Sequence, residues 1–129
     1  MSQENVGLVK GWIDAWNRGE RTLPEAEVDP DLVIESRFRP EPFSGLGGLE
    51  QWMREIDEQF QEWQIEVNDW RSTANLVVAL GQLHIRGRAG GVEFDQPAAA
   101  VVEVSDGRLF RLRLFADRTE ALEAAGLRE

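Results

Sequence analysis

The sequence predicts an α+β domain, with three N-terminal helices packed on a strongly curved, mostly antiparallel sheet and a short helix at the C-terminus. In the first half of the chain, apolar residues recur at three- and four-residue spacing, which is typical of amphipathic helices. From Gln64 onward they alternate with polar residues, which is typical of strands. The length of 129 residues, with no repeat or linker, indicates a single domain over 1–129.

The first predicted helix carries two tryptophans near its C-terminal end. Trp12 and Trp16 are four residues apart, so they share one face of the helix. Gly19 follows the last apolar position, and glycine commonly ends helices.

Two weaker elements and one strong helix come next. A short helical segment near 23–28 ends before Pro30, and a strand follows over 32–38. The strong helix covers 46–63, because its apolar residues fall on one side and its charged residues on the other.

The second half of the sequence predicts an antiparallel meander that ends in a short helix. Its four strands are expected at 64–71, 75–87, 92–104 and 108–116. Asp106-Gly107 is a strong hairpin signal between the last two strands. Asp117 caps the final helix, with Glu120 completing a capping box, and Gly126 ends it.

Charge and composition exclude several classes of function. The net charge is −10, and residues 1–65 hold 14 acids against 6 bases. Such a surface repels phosphate backbones and anionic membranes, so we expect neither nucleic-acid nor membrane binding. The absence of cysteine excludes thiolate catalysis and cysteine-ligated metals. Residues 1–10 lack a basic start followed by an apolar run, so we expect a cytoplasmic protein.

Three short segments carry a family resemblance. They are 15–20 (AWNRGE), 105–109 (SDGRL) and 117–127 (DRTEALEAAGL). These segments resemble the SnoaL-like family of the nuclear transport factor 2-like superfamily, whose α+β domains are cone-shaped. The resemblance implies an internal pocket for a small molecule and a homodimer formed through the sheets. Membership of a fold family does not by itself imply a reaction.

The steroid-isomerase branch of the same superfamily offers a sharper comparison. Its catalytic tyrosine, base and buried acid correspond here to Trp12, Ser36 and either Ala99 or Ala100. Alanine cannot donate to a developing enolate, and serine without a second base cannot take a proton from carbon. This chain therefore lacks the groups that the steroid-isomerase mechanism requires, and we exclude that mechanism.

The expected pocket is apolar with a few polar groups, which suits a hydrophobic, carbonyl-bearing ligand. The resemblance and the strand alternation together assign its ligand-binding residues as Trp12, Trp16, Val28, Ser36, Phe38, Trp52, Gln96, Phe110 and Leu112. Trp12 would donate to the ligand oxygen, while Ser36 and Gln96 would orient the ligand. Whether the chain is an enzyme is left open; an isomerase, cyclase or hydrolase is the kind expected.

The strand over 92–104 can be placed in two registers, because both faces of 98–102 are apolar. We favour the register that turns Gln96 inward and keeps Glu103 in water. The other register would turn Asp95 inward as a buried carboxylate with a raised pKa. Asp95 is therefore the candidate catalytic base.

His84, the only histidine, is expected on the outer face of its strand rather than in a site. One histidine without cysteine gives no recognisable metal-ligand spacing, so we expect neither a metal nor a cofactor.

The outer sheet face is expected to form the homodimer interface. The residues assigned to this interface are Ala99, Val101, Arg111, Arg113 and Phe115. The alternative function is a non-catalytic dimeric binding or protein-interaction module, in which the chain's own tryptophans fill the cone.

Overall fold

The computed structural model describes residues 2–20, 23–36 and 39–128. Phe38, a predicted ligand-binding residue, lies outside these residues. The helices are α1 (Ser2–Asn17), α2 (Gly45–Gln59) and α3 (Arg118–Ala124), with a 3₁₀ turn at Glu25–Glu27. The strands are β1 (Val28–Glu35), β2 (Phe43–Ser44), β3 (Phe60–Thr73), β4 (Leu76–Gly87), β5 (Glu93–Ser105) and β6 (Arg108–Phe115).

The six strands form one open sheet in the order β2-β1-β6-β5-β4-β3. Every neighbouring pair is antiparallel except β1 and β6, which run parallel. The predicted α+β class and the mostly antiparallel sheet are confirmed. No helix in the described part of the chain is long and apolar enough to span a bilayer.

One face of the sheet, here called the inner face, is covered by α1 and α2. The main core lies between these two helices and the sheet, because the apolar sides of both helices contact the inward residues of β4 and β5. Its buried members include Val9 of α1, Leu49 and Ile56 of α2, Val77 of β4 and Val102 of β5.

The opposite face, here called the outer face, carries α3. Asp117 accepts a hydrogen bond from the Thr119 N–H at 2.8 Å and so caps this helix, as predicted. Leu122 packs on Ala99 and Val101, which are only 3% and 1% exposed. The predicted use of these two residues in a homodimer interface is therefore wrong, because the chain's own helix covers them.

The strong helix predicted over 46–63 extends four residues too far. α2 ends at Gln59 and β3 begins at Phe60, so Trp63 pairs with Ile85 in the sheet instead of extending the helix. Tryptophan at this position satisfies both a helical spacing and a strand alternation, which explains the error.

The segment predicted as a helix over 23–28 contributes only the single 3₁₀ turn. Val28 already begins β1, and Pro30 lies inside this strand rather than ending the element before it. The parallel pairing with β6 skips from Val28 to Val33. Pro30 falls in that gap, where the ladder does not require the N–H that proline lacks.

The favoured register of β5 is the observed one. Ala98, Ala100 and Val102 pack with the inner core, whereas Ala99 and Val101 pack under α3. Strand β6 departs from simple alternation, because Val104 pairs with Leu109 while Glu103 pairs with Arg111. Phe110 is the extra residue of this bulge, and Leu109 takes the buried position expected for it.

Candidate ligand-binding site

A cavity of about 150 Å³ lies between the inner face and the two long helices. Apolar side chains from α1, α2 and four strands form most of its wall. Four tryptophans line it, namely Trp12, Trp16, Trp52 and Trp63. Glu20, at one edge of the lining, is exposed, so the cavity reaches the surface there.

Trp16 is the fixed centre of this aromatic wall. Its indole Nε1 donates to the carbonyl oxygen of Trp63 at 2.8 Å, and only 6% of the residue is exposed. Its ring packs on Trp52 with the centroids 5.6 Å apart and the planes tilted by 30°. Trp16 therefore joins α1 to β3 and to α2 through one side chain.

Asn17 fastens the end of α1 to the same strand. Its side-chain amide donates to the carbonyl of Ile65 at 2.8 Å and its oxygen accepts from the Ile65 N–H at 2.9 Å. This two-way bond holds the helix end, and with it the tryptophans, against β3. Asn17 was not among the predicted site residues, although an asparagine at a helix terminus is a recognised local signal.

Trp12 lines the cavity and makes one polar side-chain contact within the described residues. Its Nε1 donates to Oε1 of Glu27 at 3.3 Å, which joins α1 to the 3₁₀ turn. Both side chains are half-buried. The indole N–H predicted to meet a ligand oxygen is therefore engaged with Glu27 in this structure.

Gly81 of β4 lines the cavity at a point where the backbone of β3 leaves no room for a side chain. The Cβ of any other residue at this position would lie 1.8 Å from the carbonyl oxygen of Glu66, far inside contact distance. The register of β3 shifts just beyond this point, between Val67 and Asp69. Glycine is needed here because two backbones come too close for a side chain.

The structure brings four of the predicted ligand-binding residues to the cavity and leaves four away from it. Trp12, Trp16, Trp52 and Leu112 line it. Among the described residues, Val28, Ser36, Gln96 and Phe110 do not contribute to its lining. Val28 is core at the start of β1, Ser36 follows the end of that strand, and the bulge displaces Phe110.

Strand β3 supplies lining residues that the sequence analysis did not assign. Trp63, Ile65 and Val67 alternate along it and reach the cavity. The alternation was visible in the sequence, but Trp63 was counted with the preceding helix.

Asp95 lies on the outer face and is exposed, so it does not reach the cavity. Its Oδ1 is 2.6 Å from Nδ1 of His84, and Oε1 of Glu66 is 3.7 Å from Nε2 of the same ring. The hydrogen bond with Asp95 is the main cause that raises the pKa of His84 above its ordinary value, against the opposing effect of burial. The sheet separates this pair from any ligand in the cavity, which leaves Asp95 out of position as a base there.

The outer face also holds a cluster of ion pairs beside α3. Asp69 accepts hydrogen bonds from Arg71 and Arg118, each at 2.9 Å, and these bonds lower the pKa of the Asp69 carboxyl to about 2. In the described ranges no group of three or more potential ligands is placed to hold a metal ion.

The fold is thus an α+β domain in which α1 and α2 cover one face of an open six-stranded sheet, with an apolar cavity between the helices and the sheet. The model of the SnoaL-like domain family matches residues 9–112, so the chain belongs to this family. No curated protein shows a significant sequence match to the chain.

Solved structures with similar folds carry varied descriptions. A nuclear transport factor 2-like protein of unknown function from Burkholderia pseudomallei has a TM-score of 0.79 at 15% identity, covering 94% of this chain and 96% of that one. A protein from Xanthomonas campestris pv. campestris, provisionally named a polyketide cyclase, has a TM-score of 0.76 at 21% identity, covering 92% and 94%.

A third neighbour, from Catenulispora acidiphila, is a hypothetical protein with a ketosteroid isomerase-like fold in complex with trimethylamine. Its TM-score is 0.72 at 12% identity, covering 94% of this chain and 93% of that one. At such identities these likenesses establish the fold and not the ligand.

Proposed function

We propose that this chain binds a compact, largely apolar small molecule in the cavity beneath α1 and α2. The observation that carries the proposal is the cavity of about 150 Å³ walled by four tryptophans. An engineered apolar cavity of about 150 Å³ in another protein is large enough to bind benzene. The expected ligand therefore presents one ring, and a four-ring steroid is too large.

The ligand's polar group is proposed to be a carbonyl that takes the N–H of Trp12. This N–H points to Glu27 over 3.3 Å, near the upper limit of a hydrogen bond, so exchange to a ligand oxygen costs little. Neighbours named as polyketide cyclases are compatible with carbonyl ligands, while the neighbour holding trimethylamine shows that ligands vary within the fold.

The proposal is one of binding rather than turnover. The charged side chains of the described lining are Glu20 at the exposed edge and Glu66, whose carboxylate lies beside His84 on the outer face. Neither is a buried carboxylate aimed at the cavity interior, which is the arrangement that a raised-pKa base requires.

Titration by tryptophan fluorescence tests the proposal. The probes are toluene, cyclohexanone, 1-indanone and a steroid ketone. Saturable quenching by the one-ring probes is expected, with weaker quenching by the two-ring 1-indanone and none by the steroid. Trp12→Phe should weaken the ketones more than toluene, because only the ketones use the indole N–H.

Trp70→Phe is the matched control, since Trp70 packs at the core edge under Lys10 and does not line the cavity. Its effect on every probe should be negligible. Equal weakening by both variants would show that the quenching does not report on this cavity.

A non-catalytic module with a self-filled cone is the competing function. It is favoured by the burial of Trp16 and Trp63 at 6% and 5% exposure, and by a cavity smaller than the roughly 300 Å³ of typical drug-sized sites. Failure of every probe, with the fold intact by circular dichroism, would select this function.

The homodimer remains a proposal, with a changed interface. The part of the outer face that α3 leaves uncovered carries charged side chains in place of apolar ones, namely Glu62, Glu66, His84, Arg86, Glu93 and Asp95. A dimer formed through these residues would be salt-sensitive. Light scattering at low and high salt tests this expectation.

A further inference from the structure

A second hollow lies outside the cone, between α1 and the 3₁₀ turn. This groove has a volume of about 560 Å³ and is lined by Gly7, Leu8, Gly11, Trp12, Ala15, Glu20, Leu23, Pro24 and Glu27. Three of these residues, Trp12, Glu20 and Leu23, also line the inner cavity. The cavity and the groove are therefore separated by a wall formed by Trp12, Glu20 and Leu23.

The wall is held by a single described side-chain hydrogen bond. Trp12 reaches across from α1 to Glu27 over 3.3 Å, and both residues are half-buried. Any group that took the place of the indole N–H on Glu27 would join the two volumes. Glu27 would lose no hydrogen bond in this exchange.

Among the described residues that line the groove, every charged side chain is acidic. These side chains are those of Glu20 and Glu27. Glu20 already pairs with Arg18 at 2.8 Å, which leaves Glu27 as the carboxylate that faces a ligand. A carboxylate is an acceptor only, so the matching ligand group must donate hydrogen bonds or carry a positive charge.

On the side of the groove formed by α1, two lining positions are glycines and carry no side chain. A Cβ at Gly7 or Gly11 would meet no atom within 4 Å, so packing inside the chain does not require glycine there. Glycine in a helix interior is destabilising relative to alanine. The absent side chains leave room beside Trp12 that a ligand can occupy.

We propose that the cavity and the groove form one bipartite site, with an apolar ring in the cavity and an arm ending in an amine on Glu27. The inference rests on the proposed function, because the ring occupies the cavity already assigned to the ligand. It adds the ligand's length, its polarity and the residue that selects it. With the arm on Glu27, the Trp12 N–H is released toward the ring.

Isothermal titration with four probes of one skeleton tests the inference. The probes are 3-phenylpropylamine, 3-phenylpropanol, 3-phenylpropionate and propylbenzene. The amine should bind most tightly and the carboxylate most weakly, with about a tenfold difference in Kd between them. Glu27→Gln keeps an oxygen for Trp12 but should remove most of this difference.

A second variant tests the groove rather than the charge. Gly11→Leu should fill the groove and abolish the advantage of the amine over propylbenzene, while toluene still binds. Gly47→Leu is the matched control: it lies in α2, away from the groove, and a Cβ there also meets nothing within 4 Å. It should leave all affinities unchanged.

The outcomes distinguish failure of the bipartite site from failure of ligand binding in the cavity. Toluene binding with equal affinities for amine and carboxylate would overturn the bipartite site and leave the cavity proposal standing. Binding of the amine that Glu27→Gln does not weaken would also overturn it. No binding by any probe, toluene included, would overturn both.

Discussion

The two faces of the sheet are packed in opposite ways. On the inner face, long helices and large rings leave a cavity of about 150 Å³. On the outer face, α3 sets Ala121, Leu122 and Ala125 directly on Ala99 and Val101, all of them buried. Small side chains let a helix approach closely, whereas several indoles held by hydrogen bonds cannot fill every space between them.

Adjacent residues of one strand belong to the two differently packed faces. Ala99 and Ala100 are neighbours in β5, yet Ala99 packs in the cluster under α3 and Ala100 packs against the inner core. Strand alternation alone produces this difference, so substitutions at adjacent positions can test each face separately.

Gly81→Ala should have the largest effect on stability, because it places a Cβ against the backbone of β3. Its Cβ would lie 1.8 Å from the Glu66 carbonyl oxygen, and the obstacle is backbone rather than a movable side chain. We expect a loss of about 3 kcal/mol or more in the free energy of unfolding, measured by urea denaturation.

Gly47→Ala is the control for that substitution. This helical glycine has open space around its Cβ, so alanine should stabilise the protein by about 1 kcal/mol. A loss from Gly81→Ala below about 1 kcal/mol would mean that the two strands separate easily.

The neighbouring pair Ala99→Leu and Ala100→Leu should give the next largest effect. Leucine at Ala99 overpacks the α3 contact and should cost about 1–3 kcal/mol. Leucine at Ala100 enters the cavity, so it should be nearly neutral for unfolding and should abolish probe binding. Equal destabilisation by both would contradict the difference between the faces.

Asp69→Asn should have a smaller effect that depends on pH. The pKa of the Asp69 carboxyl falls from 3.8 to about 2 on folding, so its contribution is present above pH 3.8 and is lost as pH falls through about 2. Thermal unfolding should show the variant less stable at pH 7, with the difference shrinking toward pH 2. A constant difference across that range would exclude the ion pairs with Arg71 and Arg118 as its cause.

Asp95→Asn should give the smallest effect, one seen in titration rather than in ligand binding. The pKa of His84 is raised above its ordinary 6.5 by Asp95, so the pair stabilises the fold below pH 6.5 and loses this effect as pH rises through the folded value. An NMR titration of the imidazole should show the variant's pKa lower. Probe affinity should not change, because Asp95 is on the outer face; a change would return Asp95 to the ligand site.

The inner face was the more predictable of the two. The spacing of Trp12 and Trp16 and the alternation along β4 and β5 are local patterns, and they assigned the inward residues of these elements correctly. Phe110 was misplaced because a bulge breaks the alternation without a residue type that announces it.

The outer face was predicted less well because its cover comes from a distant part of the chain. The apolar residues Ala99 and Val101 indicated that something packs on them, and a second subunit and the chain's own helix satisfy that pattern equally. Seven residues of α3 carry too short a pattern to say where the helix docks. The hydrogen bonds of Trp12 and Asn17 depend on the same kind of distant placement.

The parallel pairing of β1 with β6 affects how the chain folds during its synthesis. Val33 pairs with Arg111, so β1 cannot complete this pairing until β6, far along the chain, has been synthesised. Pairings this distant in sequence slow folding, and domains form only once their partner segments have emerged. We expect the apolar faces of α1 and α2 to be exposed until then, and the excess of 14 acids over 6 bases among residues 1–65 to disfavour association of nascent chains.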